Sequence, residues 1–561
     1  MGTTLAALAS CTGDERPSTV GEPTGTAPPT PDAPATTPVT ASTTPAAAST
    51  STVATTAAAT TTTEPGSAVT TSGWVIRENR RPGTDAWRIT DPTGPRQRWQ
   101  IDGAIEGFAD STSARVGDTV RLYVSTSAGS WHVEVYRMGW YGGSLGRQLW
   151  VSDERPGATQ SAAQIDPSTR MHHAPWVPSI ELTVADDWAP GSYLLKLVSS
   201  SGAASYVPLT VRQDDAVGGL VLVNAVTTWQ AYNPWSGRSL YESFLPGNKA
   251  ARSLVVSFDR PYALSYEWGA ADFLTHELPL IALIEQLGLD VVYVTDVDLH
   301  SAGVEFAGSG DPEGEGPALL RGRTALLTTG HDEYYSLEMR DMLERARAQG
   351  INLAFFGANA VYRSIRLEPN AQGEPARQMA NYRKADADPV TEIDPSRSTV
   401  QWRNPPLRRP ENELIGVQYV AAGVVADMVI VRPENWMFAG VTLAGRRLDN
   451  LVAIEADALG PRSSEPPNLE VVASSPATAA GRRFHHAMTY YAHPSGAGVV
   501  ATGTIAWIMA LDAETWGDLD VTTAVTGITT NIVRAFAAGP CGTAHPSVAN
   551  AGRYPRTISS A

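Results

Sequence analysis

The sequence predicts a multidomain protein in which a disordered tether precedes a β-sandwich and a doubly wound, parallel-sheet α/β domain. Three observations lead there: a stretch of Thr, Ala, Pro and Ser, then short runs that alternate with period two, then strand-like runs that alternate with helical ones. The chain has 561 residues, of which 42% are hydrophobic and 18% charged. This length and composition suffice for two or three domains, each with its own hydrophobic core. The net charge of −16 argues against nucleic acid or an anionic membrane surface as a partner.

The N-terminal residues 1–11 end in Leu8-Ala9-Ser10-Cys11, which resembles the site at which bacterial lipoproteins are cleaved and lipidated. The segment is truncated, because it lacks a basic start and most of the apolar core of a secretory signal. An incidental cysteine is the alternative. Residues 12–72 are too polar to fold and predict an extended linker. We therefore expect an extracytoplasmic protein, secreted or in the cell envelope, whose membrane association is a lipid anchor at Cys11.

Residues 73–213 predict the β-sandwich. Short β-branched and aromatic runs alternate with period two and are separated by Pro, Gly and Asp, as in immunoglobulin-like domains. The runs lie at residues 119–125, 131–136, 180–184 and 192–197. We expect an immunoglobulin-like sandwich here.

Residues 214–540 predict the α/β domain, with 541–561 as a tail. Strand-like runs occupy 219–224, 290–294, 324–329 and 351–356, and helical spacing occupies 273–287 and 337–349. A polar, Pro-rich insertion from about 365 to 425 precedes further strands at 428–431 and 498–503 and a closing helix at about 523–537. In such a domain the ligands bind at the carboxyl ends of the strands. No stretch after the linker has 18 uninterrupted apolar residues, so we expect no membrane-spanning helix.

The strongest candidate site is the segment GHDEYYS at 330–336, between a strand and a helix. His331 and Glu333 are two residues apart, so they face the same side of an extended segment, where one can ligate a metal while the other moves a proton. The alternative is a structural role, in which Asp332 and Glu333 lie at a helix N-terminus and stabilise it, and His331 makes a hydrogen bond within the loop.

Three other strand ends carry polar side chains that would meet at the same edge. Tyr232 and Asn233 lie in TWQAYN after the first strand, Tyr262 ends FDRPY, and Asn359 follows the strand that ends in FFGAN. An aromatic loop that packs on the sandwich is the alternative for the first of these. Together the strand ends supply two phenols, a His/Glu pair and an amide.

Several motifs occur in the order found in one known family. TWQAYNPWSGRSLY, FDRPY, GHDEYYS and NLAFFGANAVYR, with VYRMGWYGG in the sandwich segment, resemble the large (β) subunit family of N,N-dimethylformamidase. The similarity covers about residues 73–540. The α/β domain also looks similar to class I glutamine amidotransferase folds.

This resemblance implies a mononuclear Fe³⁺ site, built from two tyrosinates and a glutamate, that hydrolyses the C–N bond of a small amide. By motif, Glu333 and Tyr232 are implied as ligands with Tyr262 as the second phenolate. His331 is implied as the acid/base residue and Asn359 as an amide beside the site.

Two assignments stay open in this resemblance. Tyr266 and Tyr241 compete with Tyr262, because spacing in the loop can vary. A further family carboxylate corresponds to Glu455 or Glu470.

The implied chemistry is coherent, and two alternatives remain. Three anionic oxygen ligands suit Fe³⁺, a hard cation that lowers the pKa of a phenol and activates water. The chain carries no obvious counterpart of the family's small subunit, so the substrate, a partner subunit and a homo-oligomer are open. One alternative is a non-catalytic envelope protein that binds glycan or protein; the other is metal-free hydrolysis by His331 and Glu333, which would survive chelation.

Other motifs favour structural interpretations. Cys11 and Cys541 are the only cysteines, which excludes a disulfide framework and a CxxC site, and Cys541 follows a helix, a poor place for a nucleophile. The adjacent His485 and His486 point to opposite faces of a strand. GGSLG at 142–146 matches a nucleophile elbow but lies in a sandwich hairpin, not between a strand and a helix. DVD at 296–298 is more typical of a turn cap than of a cation site.

Overall fold

The computed structural model describes residues 69–90, 105–241, 252–308 and 317–556. The predicted signal-like segment with Cys11, and the predicted linker up to residue 68, lie outside the described residues. In the described part of the chain, each helix is too short or too polar to cross a bilayer.

Two β-sheets share one core in the first part of the chain. Strands β1, β3 and β9 form the smaller sheet, and β2, β11, β10, β4 and β5 form the larger one, in which β6 also pairs with β4. Period-two side chains such as Leu122, Val135 and Leu195 fill the space between the sheets. The immunoglobulin-like topology stays a prediction. The strands are β1 Ile105–Ala109, β2 Ser113–Arg115, β3 Thr119–Thr126, β4 Ser130–Met138, β5 Gly146–Val151, β6 Arg155–Pro156, β9 Ile180–Thr183, β10 Gly191–Ser199 and β11 Ala204–Arg212, with a separate hairpin of β7 Gln164–Ile165 and β8 His172–His173.

A nine-stranded sheet organises the second part of the chain. Its order is β14-β12-β15-β17-β24-β23-β21-β20, with β22 paired to β23. The first five strands are parallel and the others antiparallel. The strands are β12 Leu220–Asn224, β14 Val291–Thr295, β15 Ala325–Thr328, β17 Asn352–Phe355, β20 Gln418–Val429, β21 Arg447–Ala458, β22 Glu470–Ala479, β23 Arg482–Ala492 and β24 Gly498–Ala501.

The prediction of a parallel sheet therefore holds for only part of this domain. Where helical segments separate the strands, the chain crosses over and the strands run parallel. Residues 418–492 contain no α-helix between their strands, so β20 pairs with β21 and β22 with β23 as antiparallel partners. The predicted polar insertion also contributes β18 Arg363–Glu368 and β19 Gln378–Ala380 to a small sheet with β13 Val255–Ser257 and β16 Tyr334–Ser336.

Eleven α-helices accompany these strands in the described part of the chain. The predicted helix over 273–287 is divided at Glu277, whose carboxylate turns inward and accepts hydrogen bonds from the Ala225 N–H at 3.0 Å and the Thr329 hydroxyl at 3.1 Å. The helices are α1 Trp74–Asn79, α2 Val226–Tyr232, α3 Phe273–His276, α4 Leu278–Gln286, α5 Asp296–Gly308, α6 Leu337–Ala348, α7 Asn412–Ile415, α8 Ala506–Met509, α9 Ala513–Trp516, α10 Leu519–Ala537 and α11 Cys541–Ala544.

Candidate metal centre at the strand ends

Glu333 is the centre of a buried cluster of oxygen atoms. Its side chain is 1% exposed. The Tyr232 hydroxyl lies 2.7 Å from Oε2, and the Tyr241 hydroxyl lies 2.6 Å from Oε2 and 2.7 Å from Oε1. The two hydroxyls are 2.8 Å apart, and their rings stack with centroids 4.3 Å apart. Three side chains thus bring four oxygen atoms to one point.

Local structure explains how the two phenols arrive together. Tyr232 is the last residue of α2, the helix that follows β12, and Thr228 in that helix accepts a 3.0 Å hydrogen bond from the Glu333 N–H. The chain then turns back, and the Leu240 N–H donates to the Ala231 carbonyl at 3.0 Å. This bond places Tyr241 directly beside Tyr232.

Burial keeps both phenols neutral as long as nothing offsets their charge. Desolvation, and after it the negative charge of Glu333, raises the pKa values of Tyr232 and Tyr241 well above their usual range. The protonated phenols therefore donate hydrogen bonds to the carboxylate. A cation at the same point would reverse this preference, since it stabilises phenolate over phenol.

Two arginines add positive charge beside the cluster. Arg363 Nε lies 3.2 Å from Glu333 Oε1, and the Arg383 guanidinium carbon sits 4.5 Å from the ring centroid of Tyr241. Both charges lower the pKa of Tyr241, although less than burial and Glu333 raise it. The two guanidinium groups thus stabilise negative charge on Glu333 and Tyr241.

His331 faces the same point from the other side. Its Nε2 lies 3.8 Å from Glu333 Oε2, and its ring centroid is 4.8 Å from that of Tyr232. Burial alone would lower the pKa of His331, but a hydrogen bond to Asp272 and the charges of nearby carboxylates raise it. The His331 Nε2 atom is buried and has no hydrogen-bond partner among the described residues.

Asn359 and Glu455 complete the site. Asn359 follows β17 in a left-handed conformation, with φ +61°, and its N–H donates to Asp457 Oδ1 at 2.8 Å. Burial raises the pKa of Glu455, while the charge of His331 lowers it and that of Glu333 raises it. Glu455 Oε2 and Asn359 Oδ1 are buried acceptors that find no hydrogen-bond donor within the described ranges. Unsatisfied polar atoms of this kind are costly and point to a bound ligand or water.

The oxygen atoms at this site can be compared with the ligand preferences of metal ions. Within the described ranges, no group of three or more His, Cys, Asp and Glu side chains could hold a metal ion. The converging atoms are instead two phenol oxygens and a carboxylate, which match the preference of Fe³⁺ for oxygen ligands.

Comparison with known proteins identifies the family. The model of the C-terminal domain of N,N-dimethylformamidase beta subunit-like proteins matches residues 132–518. The chain belongs to this family. No curated protein matches the chain significantly. A solved structure of a Paenibacillus sp. cycloisomaltooligosaccharide glucanotransferase, complexed with cycloisomaltoheptaose, covers 68% of each chain at 9% identity, but its TM-score of 0.17 is too low to inform the fold.

Within this N,N-dimethylformamidase beta subunit-like chain, the motif-based choice of Tyr262 as second phenol does not match the geometry. Tyr262 packs edge-on against Trp229, with ring centroids 6.2 Å apart, and lines a small cavity with Phe108 of the sandwich. Tyr266 lies near Asp272 instead. Tyr241, the competitor in the sequence, is the phenol that contacts Glu333.

The two candidate glutamates, Glu455 and Glu470, lie in different surroundings. The charge of Glu455 acts on both His331 and Tyr232. Glu470 accepts a 2.9 Å hydrogen bond from the Val548 N–H and lies 3.5 Å from Arg432.

The remaining motifs have structural explanations. Burial raises the pKa of the Cys541 thiol to about 12, which makes it a poor nucleophile. His486 is fully buried with Nε2 3.0 Å from the Thr502 carbonyl, while its neighbour His485 faces outward and is half-buried. Ser144 lies in a turn between β4 and β5 rather than before a helix. Asp298, in the first turn of α5, accepts from the Thr295 N–H at 2.8 Å.

Proposed function

We propose that this protein is an iron-dependent hydrolase that cleaves the C–N bond of a small amide, with Tyr232, Tyr241 and Glu333 holding Fe³⁺. The observation that carries the proposal is the convergence of the two phenols and the carboxylate within 2.6–2.8 Å. Membership of the N,N-dimethylformamidase beta subunit-like family supports the reaction class.

The surroundings fit such a group. A ferric ion held by these residues would act as a Lewis acid that polarises the amide carbonyl and lowers the pKa of water. The Arg363 side chain holds one Glu333 oxygen and so fixes the direction of the carboxylate. Burial excludes bulk water, which strengthens each electrostatic contact in the site.

The residues around the cluster can transfer the proton that amide hydrolysis requires. Amide hydrolysis needs a group that takes a proton from water and gives one to the departing amine. His331 Nε2 faces the site and is not engaged elsewhere in the described structure. Glu455 Oε2 and Asn359 Oδ1 are acceptors, suited to orient water or the N–H of the amine as it forms.

Location and partners are part of the same proposal. The Thr- and Pro-rich linker and the cysteine at position 11 favour a protein held outside the cytoplasm, where the substrate would be an amide of that compartment. A small partner subunit and self-association remain predictions. Fractionation of cells that express the full chain, with and without Cys11→Ala, tests the anchor: loss of membrane association in the variant supports it.

The decisive test is hydrolysis by the iron-loaded full chain. We expect wild type to release amine from at least one simple amide in proportion to its bound iron, and Glu333→Ala to lose both iron and activity. Glu470→Gln is the matched control, since this buried glutamate lies elsewhere, and should keep both. A folded, iron-loaded protein that cleaves none of the amides contradicts the proposal and favours a binding protein. Activity that survives complete chelation favours metal-free hydrolysis.

A further inference from the structure

The loop that precedes α3 holds a carboxylate behind His331. Asp272, the last residue of this loop, places Oδ2 3.4 Å from His331 Nδ1. Its side chain is only 13% exposed. The opposite ring atom, Nε2, is the one that faces Glu333. The imidazole therefore lies between an aspartate and the oxygen cluster.

This arrangement selects one tautomer of the neutral ring. A carboxylate only accepts hydrogen bonds, so contact with Asp272 keeps the proton of His331 on Nδ1. The lone pair of Nε2 is then directed at the site, ready to take a proton from water and to pass it on. The reverse tautomer would direct an N–H at the site and leave two acceptors facing each other.

A second histidine beside Asp272 is placed differently. His276 Nδ1 lies 3.8 Å from Asp272 Oδ1, which is too long for a hydrogen bond. The backbone carbonyl of His276 instead accepts from the Gly330 N–H at 3.0 Å, just before His331. His276 thus supports the backbone of the site, and the Asp272 carboxylate contacts His331 on one side and the Tyr266 hydroxyl on another.

The loop itself is held in an unfavourable conformation. Glu267, Trp268 and Ala271 have φ values of +48°, +60° and +60°, a region that non-glycine residues avoid. The Glu267 carboxylate accepts hydrogen bonds from the Leu274 N–H at 2.6 Å and from the Thr275 hydroxyl, which closes the loop onto α3. Such strain persists only where the surroundings fix the backbone, and it concentrates at functional sites.

The sandwich supplies part of that support. Gly269, with φ +89°, packs so closely on β11 that a Cβ atom there would lie 2.7 Å from the Tyr206 carbonyl oxygen. The Tyr206 hydroxyl in turn donates to the Trp87 carbonyl and accepts from the Ile89 N–H at 2.9 Å. The first part of the chain thus contacts the loop that carries Asp272.

We propose that Asp272 is the positioning residue for His331, and that strand β11 of the sandwich braces the loop that holds it. The inference deepens the proposed function and rests on it for the catalytic consequence. The orientation of the imidazole is a separate claim, because it can be measured without metal or turnover.

The test follows the ring nitrogens of His331 by NMR in the metal-free full chain, labelled with ¹⁵N-histidine and assigned with His331→Gln. At a pH above the raised pKa of about 9, where the ring is neutral, wild type should show a protonated Nδ1 and an unprotonated Nε2. Asp272→Asn should change this pattern, because an amide can donate to Nδ1. His276→Gln is the matched control and should leave the His331 signals unchanged. An unchanged His331 pattern in Asp272→Asn overturns the proposal.

Activity gives the second readout. In the iron-loaded enzyme we expect Asp272→Asn to lower kcat roughly 100-fold while KM and iron content stay within about threefold. Gly269→Ala, which pushes the loop away from β11, should move the same NMR signals in the same direction; signals identical to wild type would refute the brace. If wild type hydrolyses no amide, the proposed function fails, and the NMR result still decides the role of Asp272.

Discussion

Two buried glutamates, Glu285 in α4 and Glu333 at the strand ends, differ in the groups that surround their carboxylates. Glu285 faces Arg137 of the sandwich, whose Nη2 and Nη1 lie 2.6 and 3.2 Å from the two carboxylate oxygens. Tyr293 and Asn79 add hydrogen bonds of 2.7 and 3.0 Å. A full positive charge and several donors thus surround Glu285.

The network around Glu285 continues outward to Glu78. Arg137 also donates to Tyr141 at 2.9 Å, and the Tyr141 hydroxyl donates to Glu78 at 2.8 Å. The second Glu78 oxygen lies 3.3 Å from Arg81 Nε. These contacts join α1, the sandwich motif VYRMGWYGG and α4 into one clamp. The family motif in the sandwich is therefore explained by structure alone.

Glu333 is held mainly by neutral phenols, and unpartnered acceptors lie beside it. Two phenol hydroxyls and one arginine contact its carboxylate, and Glu455 Oε2 and Asn359 Oδ1 beside it have no donor in the described part of the chain. The comparison teaches that burial of charge does not by itself mark a functional site. The stronger indication is the convergence of three oxygen-bearing side chains beside buried acceptors that lack donors, which points to a bound ligand or water.

The largest expected difference is between two buried histidines, one at each kind of site. His331→Gln should lower amide hydrolysis by about 10²–10⁴-fold, because no side chain then relays the proton. His486→Gln should leave the rate within about threefold of wild type, since His486 bonds only the Thr502 carbonyl. Steady-state kinetics at matched iron content measure both. Equal losses in the two variants would contradict the distinction.

The clamp should govern stability rather than chemistry. Glu285→Gln removes the carboxylate that contacts buried Arg137, and we expect the free energy of unfolding to fall by about 3–5 kcal/mol. Tyr293→Phe removes one hydrogen bond and should cost about 1 kcal/mol. Denaturant unfolding checks both values. A loss of hydrolysis per folded molecule in either variant would show that the clamp takes part in the reaction.

A smaller effect is expected from the charge that holds Glu333. Arg363→Met removes the 3.2 Å contact with Oε1 and should weaken iron binding roughly 10–100-fold. Arg366→Met is the matched control, because Arg366 pairs with Asp388 away from the cluster. Competition with a chelator of known affinity gives both constants. Equal iron affinity in wild type and Arg363→Met would remove Arg363 from the site.

Local pattern was enough to predict several parts of this site. Short apolar runs predict β12, β15 and β17, and the rule that parallel strands present their carboxyl ends together predicts that residues 330–336 and Asn359 meet. The two-residue spacing predicts that His331 and Glu333 face one point, as their 3.8 Å separation confirms.

Tertiary contacts decide the rest, and local pattern does not reveal them. Tyr241 rather than Tyr262 contacts Glu333, because the backbone hydrogen bond from the Leu240 N–H to the Ala231 carbonyl turns the chain back toward α2. Asp272 reaches His331 from 59 residues away. The antiparallel half of the large sheet was missed because its strands follow one another without helices. The sequence alone could have pointed to Arg363, because it is the last residue of the family motif NLAFFGANAVYR.

The most direct test of the account is the iron content and visible spectrum of the reconstituted full chain, compared among wild type, Tyr241→Phe and Tyr262→Phe. We predict close to one iron per chain in wild type, with a phenolate-to-iron charge-transfer band that is lost or shifted in Tyr241→Phe and retained in Tyr262→Phe. An unchanged band in Tyr241→Phe, or a colourless, iron-free wild type after reconstitution, would contradict the proposed centre.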